Sequence, residues 1–112
     1  MIEATKKTEG KSLLVVDDEE NVAFTVSEVL RREGFEVETA LTGQSAIRRL
    51  HEKEFDLVLT DLHMEGVDGI SVLGELRRRH PLTSAIVLTG FASLESAVAS
   101  MRQGAYDYSR FQ

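Results

Sequence analysis

Three short apolar runs in this chain end in side chains that could gather around a cation. Ser12-Leu13-Leu14-Val15-Val16 runs into Asp17 and Asp18, Phe55-Asp56-Leu57-Val58-Leu59-Thr60 into Asp61, and Ser84-Ala85-Ile86-Val87-Leu88 into Thr89. Carboxylates crowded together repel one another and raise each other's pKa unless a cation joins them. Oxygen donors from one or two carboxylates, with positions left for water, favour Mg²⁺, which keeps several waters in an octahedral shell. One such acid would be a helix N-cap or a solvated loop residue. Three acids, all closing apolar runs, ask for a common explanation.

The positioning must come from the runs themselves. Continuous apolar stretches of this length, rich in Val, Leu and Ile, suit strands buried on both faces of a parallel sheet. Phe35-Glu36-Val37-Glu38-Thr39-Ala40 alternates apolar and polar instead, the pattern of a strand with one wetter face at a sheet edge. Helical stripes separate the strands. Val22, Val26, Val29 and Leu30 form the first, stopped by Gly34, and Ala46, Ile47 and Leu50 the second, after a turn at Thr42-Gly43. Ile70, Leu73 and Leu76 form the third, closed by His80-Pro81 because a residue before proline avoids helical angles. Leu94, Ala97, Val98 and Met101 form the fourth, with Ser93 as the expected N-cap and Gly104 as the expected stop. Tyr106-Asp107-Tyr108 could add a fifth strand. Strict β-α alternation predicts an α/β fold, a doubly wound parallel sheet with right-handed crossovers. Ligands of such sheets collect at the carboxyl ends of the strands, where Asp17, Asp18, Asp61 and Thr89 fall.

The 112 residues fit one domain, with residues 1–11 a flexible N-terminal arm and 12–112 the folded unit. A net charge of −6 argues against direct contact with nucleic acid or an anionic membrane. Without cysteine there is neither a disulfide framework nor a thiolate metal site. No apolar stretch is long enough to cross a bilayer, and MIEATKKTEG lacks the apolar core of a secretory signal, so a cytoplasmic domain is expected.

LLVVDDE, DLVLTDLHMEGVDG, AIVLTGF and GAYDY together resemble the receiver domain of bacterial two-component response regulators, over about residues 12 to 108. Their wording is similar to receivers that precede σ54-type activator modules. The resemblance implies a flavodoxin-like sheet in the order 2-1-3-4-5, an order for which a chemotaxis receiver is a standard example. It implies that Asp61 is the phosphoacceptor, taking a phosphoryl group from a sensor histidine kinase, and that a downstream effector domain or protein reads the result. Asp18, Asp61 and the backbone carbonyl of His63 would ligate Mg²⁺, and Asp17 would hold a bound water. Thr89 would turn its hydroxyl onto a phosphoryl oxygen, and Tyr108 would swing inward as the aromatic switch. The domain would be no enzyme in the usual sense, only a phosphoacceptor with intrinsic Mg²⁺-dependent autophosphatase chemistry.

The pattern breaks near the last residue. The family continues Tyr-x-x-Lys-Pro, but Tyr108 is followed by Ser109-Arg110-Phe111-Gln112, so Phe111 stands in the Lys register. The site is then one positive charge short of the family's, which should weaken the phosphorylated state. Alternation along a strand points Arg110 away from the Phe111 side. A fifth helix is also lacking. Burying about four large apolar side chains of such a helix is worth roughly 6–12 kcal/mol, against a net domain stability of about 5–15 kcal/mol. An apolar stripe should therefore stand open, to be covered in a homodimer or larger assembly. The chain is expected to be a shortened piece of a longer regulator. A degenerate receiver that only makes protein contacts is the alternative function. An aspartate-nucleophile phosphohydrolase would need a second acid where His63 stands, and no Gly-rich nucleotide loop is present. Arg77-Arg78-Arg79 is expected to be a solvated helix end, favourable at the negative pole of its dipole.

Overall fold

In the computed structural model, residues 9–61, 69–88 and 91–102 are described. The expected roles of His63, Thr89, Tyr108 and Phe111, most of the N-terminal arm and the fifth strand lie outside those residues.

The strands are β1 (Ser12–Val16), β2 (Glu36–Ala40), β3 (Leu57–Asp61) and β4 (Ser84–Leu88). The helices are α1 (Glu20–Arg32), α2 (Gly43–Glu52), α3 (Gly69–Arg79) and α4 (Phe91–Arg102). All pairings are parallel and the order is β2-β1-β3-β4, the expected doubly wound arrangement over its first four strands. The apolar runs become the buried strands, and Leu13, Leu14, Val58 and Ile86 are wholly inaccessible. The alternating run becomes edge strand β2, with Glu36 exposed and Val37 to Thr39 half-buried.

Two features fix the offset between β1 and β3. The Asp56 carboxylate accepts hydrogen bonds from the Ser12 N–H at 2.8 Å and the Ser12 hydroxyl at 3.2 Å. At the same end the Asp56 N–H donates to the Ser12 carbonyl at 3.0 Å. This clamp sets a register in which Val16 faces Thr60, so the next residues along, Asp17 and Asp61, emerge side by side.

Local signals explain most helix ends. The Thr42 hydroxyl accepts from the Ser45 N–H at 3.0 Å and caps α2. Gly34, at φ +106°, turns the chain out of α1 into β2, and a Cβ there would lie 2.6 Å from the Glu9 carboxylate. Two expectations shift. The buried stripe of α3 is Val72 and Leu76 with Leu73 alongside, while Ile70 is 66% exposed. Gly69 starts the helix, so Ile70 lies in its first turn and faces out. Helix α4 begins at Phe91, so Ser93 sits inside it and does not precede it.

The sheet separates two cores. On one face Leu14, Val16, Val58 and Ala85 pack with Ala46 and Leu50 of α2 and Val72 and Leu76 of α3. On the other, Leu13, Val15, Leu57, Leu59 and Ile86 pack with Val26 and Leu30 of α1 and Leu94, Ala97, Val98 and Met101 of α4. Helix α4 thus shares the α1 face, and Arg102 near its end grips Glu33 at the end of α1 with two bonds of 2.7 Å. This corrects the expectation of an open apolar stripe. Leu13, Val15, Leu57, Leu59 and Ile86 on that face are no more than 2% exposed, because α1 and α4 lie over them.

Candidate metal and phosphoacceptor site

Strand ends and loop starts build the site. Asp17 and Asp18 follow β1 directly, and Asp61 is the last residue of β3. One carboxylate oxygen from each of Asp17, Asp18 and Asp61 lies within 4.8 Å of the others. Asp17 and Asp61 are half-buried and Asp18 is exposed, which leaves the cluster open to solvent and to a partner.

Small backbone devices hold these acids. The Asp17 carboxylate accepts the Glu19 N–H at 2.9 Å, which folds the chain back at the start of α1. The Asp17 N–H donates to the Ala40 carbonyl at 3.1 Å, tying the loop to β2. Thr60, 1% exposed, donates its hydroxyl to the Asp61 carbonyl at 3.0 Å. Nothing in the periodicity singled out Thr60. A buried hydroxyl in an apolar strand was the available signal, because such a group needs a partner.

Burial and neighbouring charge both act on Asp17. Burial, the largest influence, pushes the Asp17 carboxyl above the usual carboxylate range. The bond from the Glu19 N–H opposes this, and the charges of Asp61, Asp18 and Glu19 add to the rise. A carboxyl raised in the folded state stabilises it fully below the ordinary value of 3.8, and that contribution is lost as pH climbs through the folded value. Asp17→Asn is therefore expected to stabilise the metal-free chain at neutral pH by ~0.5–1 kcal/mol, while the amide oxygen can still accept the Glu19 N–H. Denaturant unfolding in the presence of a chelator checks this; equal stability of the two proteins would contradict it.

The donor set suits Mg²⁺. Oxygens at about 2.1 Å around an octahedral ion sit roughly 3 Å apart when adjacent and about 4.2 Å apart across it. Separations of up to 4.8 Å therefore fit two direct carboxylates and a third held through water.

The chain matches the response regulator receiver domain family over residues 13–109. It belongs to that family. Among curated relatives, this receiver domain is 38% identical over 96 residues to the transcriptional regulatory protein ZraR of Salmonella typhimurium, covering 86% of this chain and 22% of that protein. It is 35% identical over 98 residues to a putative NtrX-like response regulator of Rickettsia bellii, covering 86% of this chain and 20% of that one. The receiver spans about a fifth of the length of the curated relatives it matches. Among solved structures, it is similar to the response regulator TrrA of Thermotoga maritima in complex with Mg²⁺-BeF. The TM-score is 0.71 at 34% identity, covering 91% of this chain and 86% of that one. A CheY-like receiver from Methanospirillum hungatei superposes with a TM-score of 0.73 at 29% identity, covering 92% of this chain and 81% of the other. No helix among the described residues is long and apolar enough to cross a membrane.

Proposed function

We propose that this receiver domain accepts a phosphoryl group on Asp61 from a partner histidine kinase, in a Mg²⁺-dependent reaction. The observation that carries the proposal is the meeting of Asp17, Asp18 and Asp61 within 4.8 Å at the carboxyl ends of adjacent parallel strands. An Asp61 carboxylate oxygen would attack phosphorus, forming an O–P bond as the N–P bond of the kinase phosphohistidine breaks and the imidazole leaves. Asp18, Asp61 and the His63 carbonyl would hold Mg²⁺, with Asp17 holding a coordinated water. The bound ion supplies charge neutralisation for the phosphoryl oxygens, since phosphoryl transfer needs positioning and electrostatics more than covalent help. Thr89 is assigned the bond to a phosphoryl oxygen and Tyr108 the switch that alters the face read by an effector. The setting is cytoplasmic, and the phosphoaspartate would return to Asp61 by intrinsic hydrolysis.

A second reading, a receiver that only makes protein contacts, draws on Phe111, which stands where the family's pattern carries Lys. One experiment separates the two. Incubation with Mg²⁺ and a small-molecule phosphodonor should add one phosphoryl group to the intact mass, and a chelator should abolish the gain. No mass gain with Mg²⁺ present would favour the contact-only reading.

A further inference from the structure

Strand β3 reads Leu-Val-Leu-Thr-Asp, and Thr60 is its polar residue before the terminal acid, 1% exposed. The register sets Thr60 between Val16 of β1 and Val87 of β4, which are no more than 4% exposed themselves. Three adjacent strands thus carry a row Val-Thr-Val one residue below the acidic cluster. Packing alone favours a third valine there. Thr and Val have similar branched shapes, but a buried hydroxyl needs a partner that a methyl group does not. The Thr60 hydroxyl has found one in the carbonyl of the next residue, Asp61, at 3.0 Å.

That bond acts where the sheet releases β3. Pairing with β1 ends at Val16 and Thr60, because β1 stops at Val16, while pairing with β4 continues to Asp61 and Leu88. The ladder therefore flanks Asp61 on one side, and the Thr60 hydroxyl adds a hold on its carbonyl. Fixing the carbonyl fixes the peptide plane that leaves the Asp61 Cα. Backbone angles decide which side-chain rotamers are open, so the same bond restricts where the Asp61 carboxylate points.

Alternation keeps Thr60 apart from the chemistry. Val58 belongs to the core under α2 and α3, and Leu59 to the core under α1. Thr60 follows Val58 on its face, while Asp61 follows Leu59 and Asp17 follows Val15 on the other. The hydroxyl acts on the carboxylate through the backbone.

We propose that Thr60 is a positioning residue, whose bond to the Asp61 carbonyl aims the Asp61 carboxylate at Asp17 and Asp18 for Mg²⁺ and phosphoryl binding. This role rests on the phosphoacceptor reading of the site. Mg²⁺ demands near-ideal octahedral geometry, so three acids whose oxygens meet within 4.8 Å gain from a carboxylate that is already aimed. Removing a bond that orients a metal ligand commonly weakens metal affinity by roughly 10–100-fold. Thr60 acts one step further back, which places its effect at the lower end.

Two substitutions separate the hydroxyl from the packing. Thr60→Val keeps the branched shape without the hydroxyl, and Thr60→Ser keeps the hydroxyl without the methyl group. In a chelator, Thr60→Val is expected to unfold at the wild-type urea midpoint or above it, and Thr60→Ser below it. Mg²⁺ titration followed by amide NMR shifts is expected to reverse that order. Thr60→Val should bind Mg²⁺ about tenfold more weakly and gain phosphoryl mass from a small-molecule phosphodonor more slowly at equal Mg²⁺. Thr60→Ser should restore most of both. A merely structural hydroxyl would lower the stability of Thr60→Val and leave its Mg²⁺ affinity intact. Wild-type Mg²⁺ affinity and phosphoryl uptake in Thr60→Val would overturn the proposal. So would a Thr60→Ser chain as impaired as Thr60→Val, or a Thr60→Val chain that does not fold. A wild-type chain that takes up neither Mg²⁺ nor phosphoryl would instead remove the phosphoacceptor reading itself.

Discussion

Asp61→Asn is expected to take up no phosphoryl group from a small phosphodonor while remaining folded. The amide nitrogen and oxygen are poor nucleophiles at neutral pH, and neither Asp17 nor Asp18 ends a strand at the same depth. The change also removes one of three charges that meet within 4.8 Å. Mg²⁺ affinity should fall about tenfold or more, equivalent to ~1.4 kcal/mol. Thermal unfolding reads this directly. At a Mg²⁺ concentration of 100 times the wild-type Kd, the ion should stabilise the wild-type chain by about 2.7 kcal/mol, and a tenfold weaker site should retain about half of that. In a chelator the order should reverse or level, because the substitution relieves repulsion in the cluster. Full phosphoryl uptake by Asp61→Asn would move the acceptor elsewhere. Undiminished stabilisation by Mg²⁺ would remove Asp61 from the ion's ligands.

That cluster is legible in the sequence because two separate signals coincide in it. Apolar runs mark β1, β3 and β4, and the acids stand where two of those runs stop, so strand identity and site location came from the same residues. Edge strand β2 was legible from its alternation, and Gly34 and Pro81 from backbone chemistry that does not depend on tertiary context. The start of α4 was not legible from Ser93, since a side chain suited to capping does not oblige a helix to begin there. Ile70 was misplaced because the first turn of a short stripe offers a choice of phase, and Val72 with Leu76 won the core. The bond from Thr60 to the Asp61 carbonyl has no periodic signature at all.

The face chosen by α4 was the least legible feature, and the reason is physical. A parallel strand buried on both sides offers apolar side chains to either layer: Ile86 points to one core and Ala85 to the other. The stripe of Leu94, Ala97, Val98 and Met101 identifies the buried side of the helix but says nothing about which sheet face receives it. The apolar fit beside α1 decides, since Leu94, Ala97, Val98 and Met101 pack there with Val26 and Leu30.

Met101→Ala tests that seat. Met101 is wholly inaccessible and packs among Leu94, Ala97 and Val98 against the α1 face. Truncating a buried side chain of this size costs about 2–5 kcal/mol, the transfer of the lost atoms plus the cavity left behind. Net domain stability is only about 5–15 kcal/mol, so a large share of the total rides on one methionine near the end of α4. Arg102→Ala is the matched comparison one residue away. Its pairing with Glu33 is two-pronged, but the Arg102 side chain is 62% exposed and solvent screens it, so only a marginal loss is expected. Urea unfolding of the two variants should therefore separate them clearly, with the midpoint shifting and the slope nearly constant. A small effect at Met101 would mean that the end of α4 is not packed on the α1 face in solution.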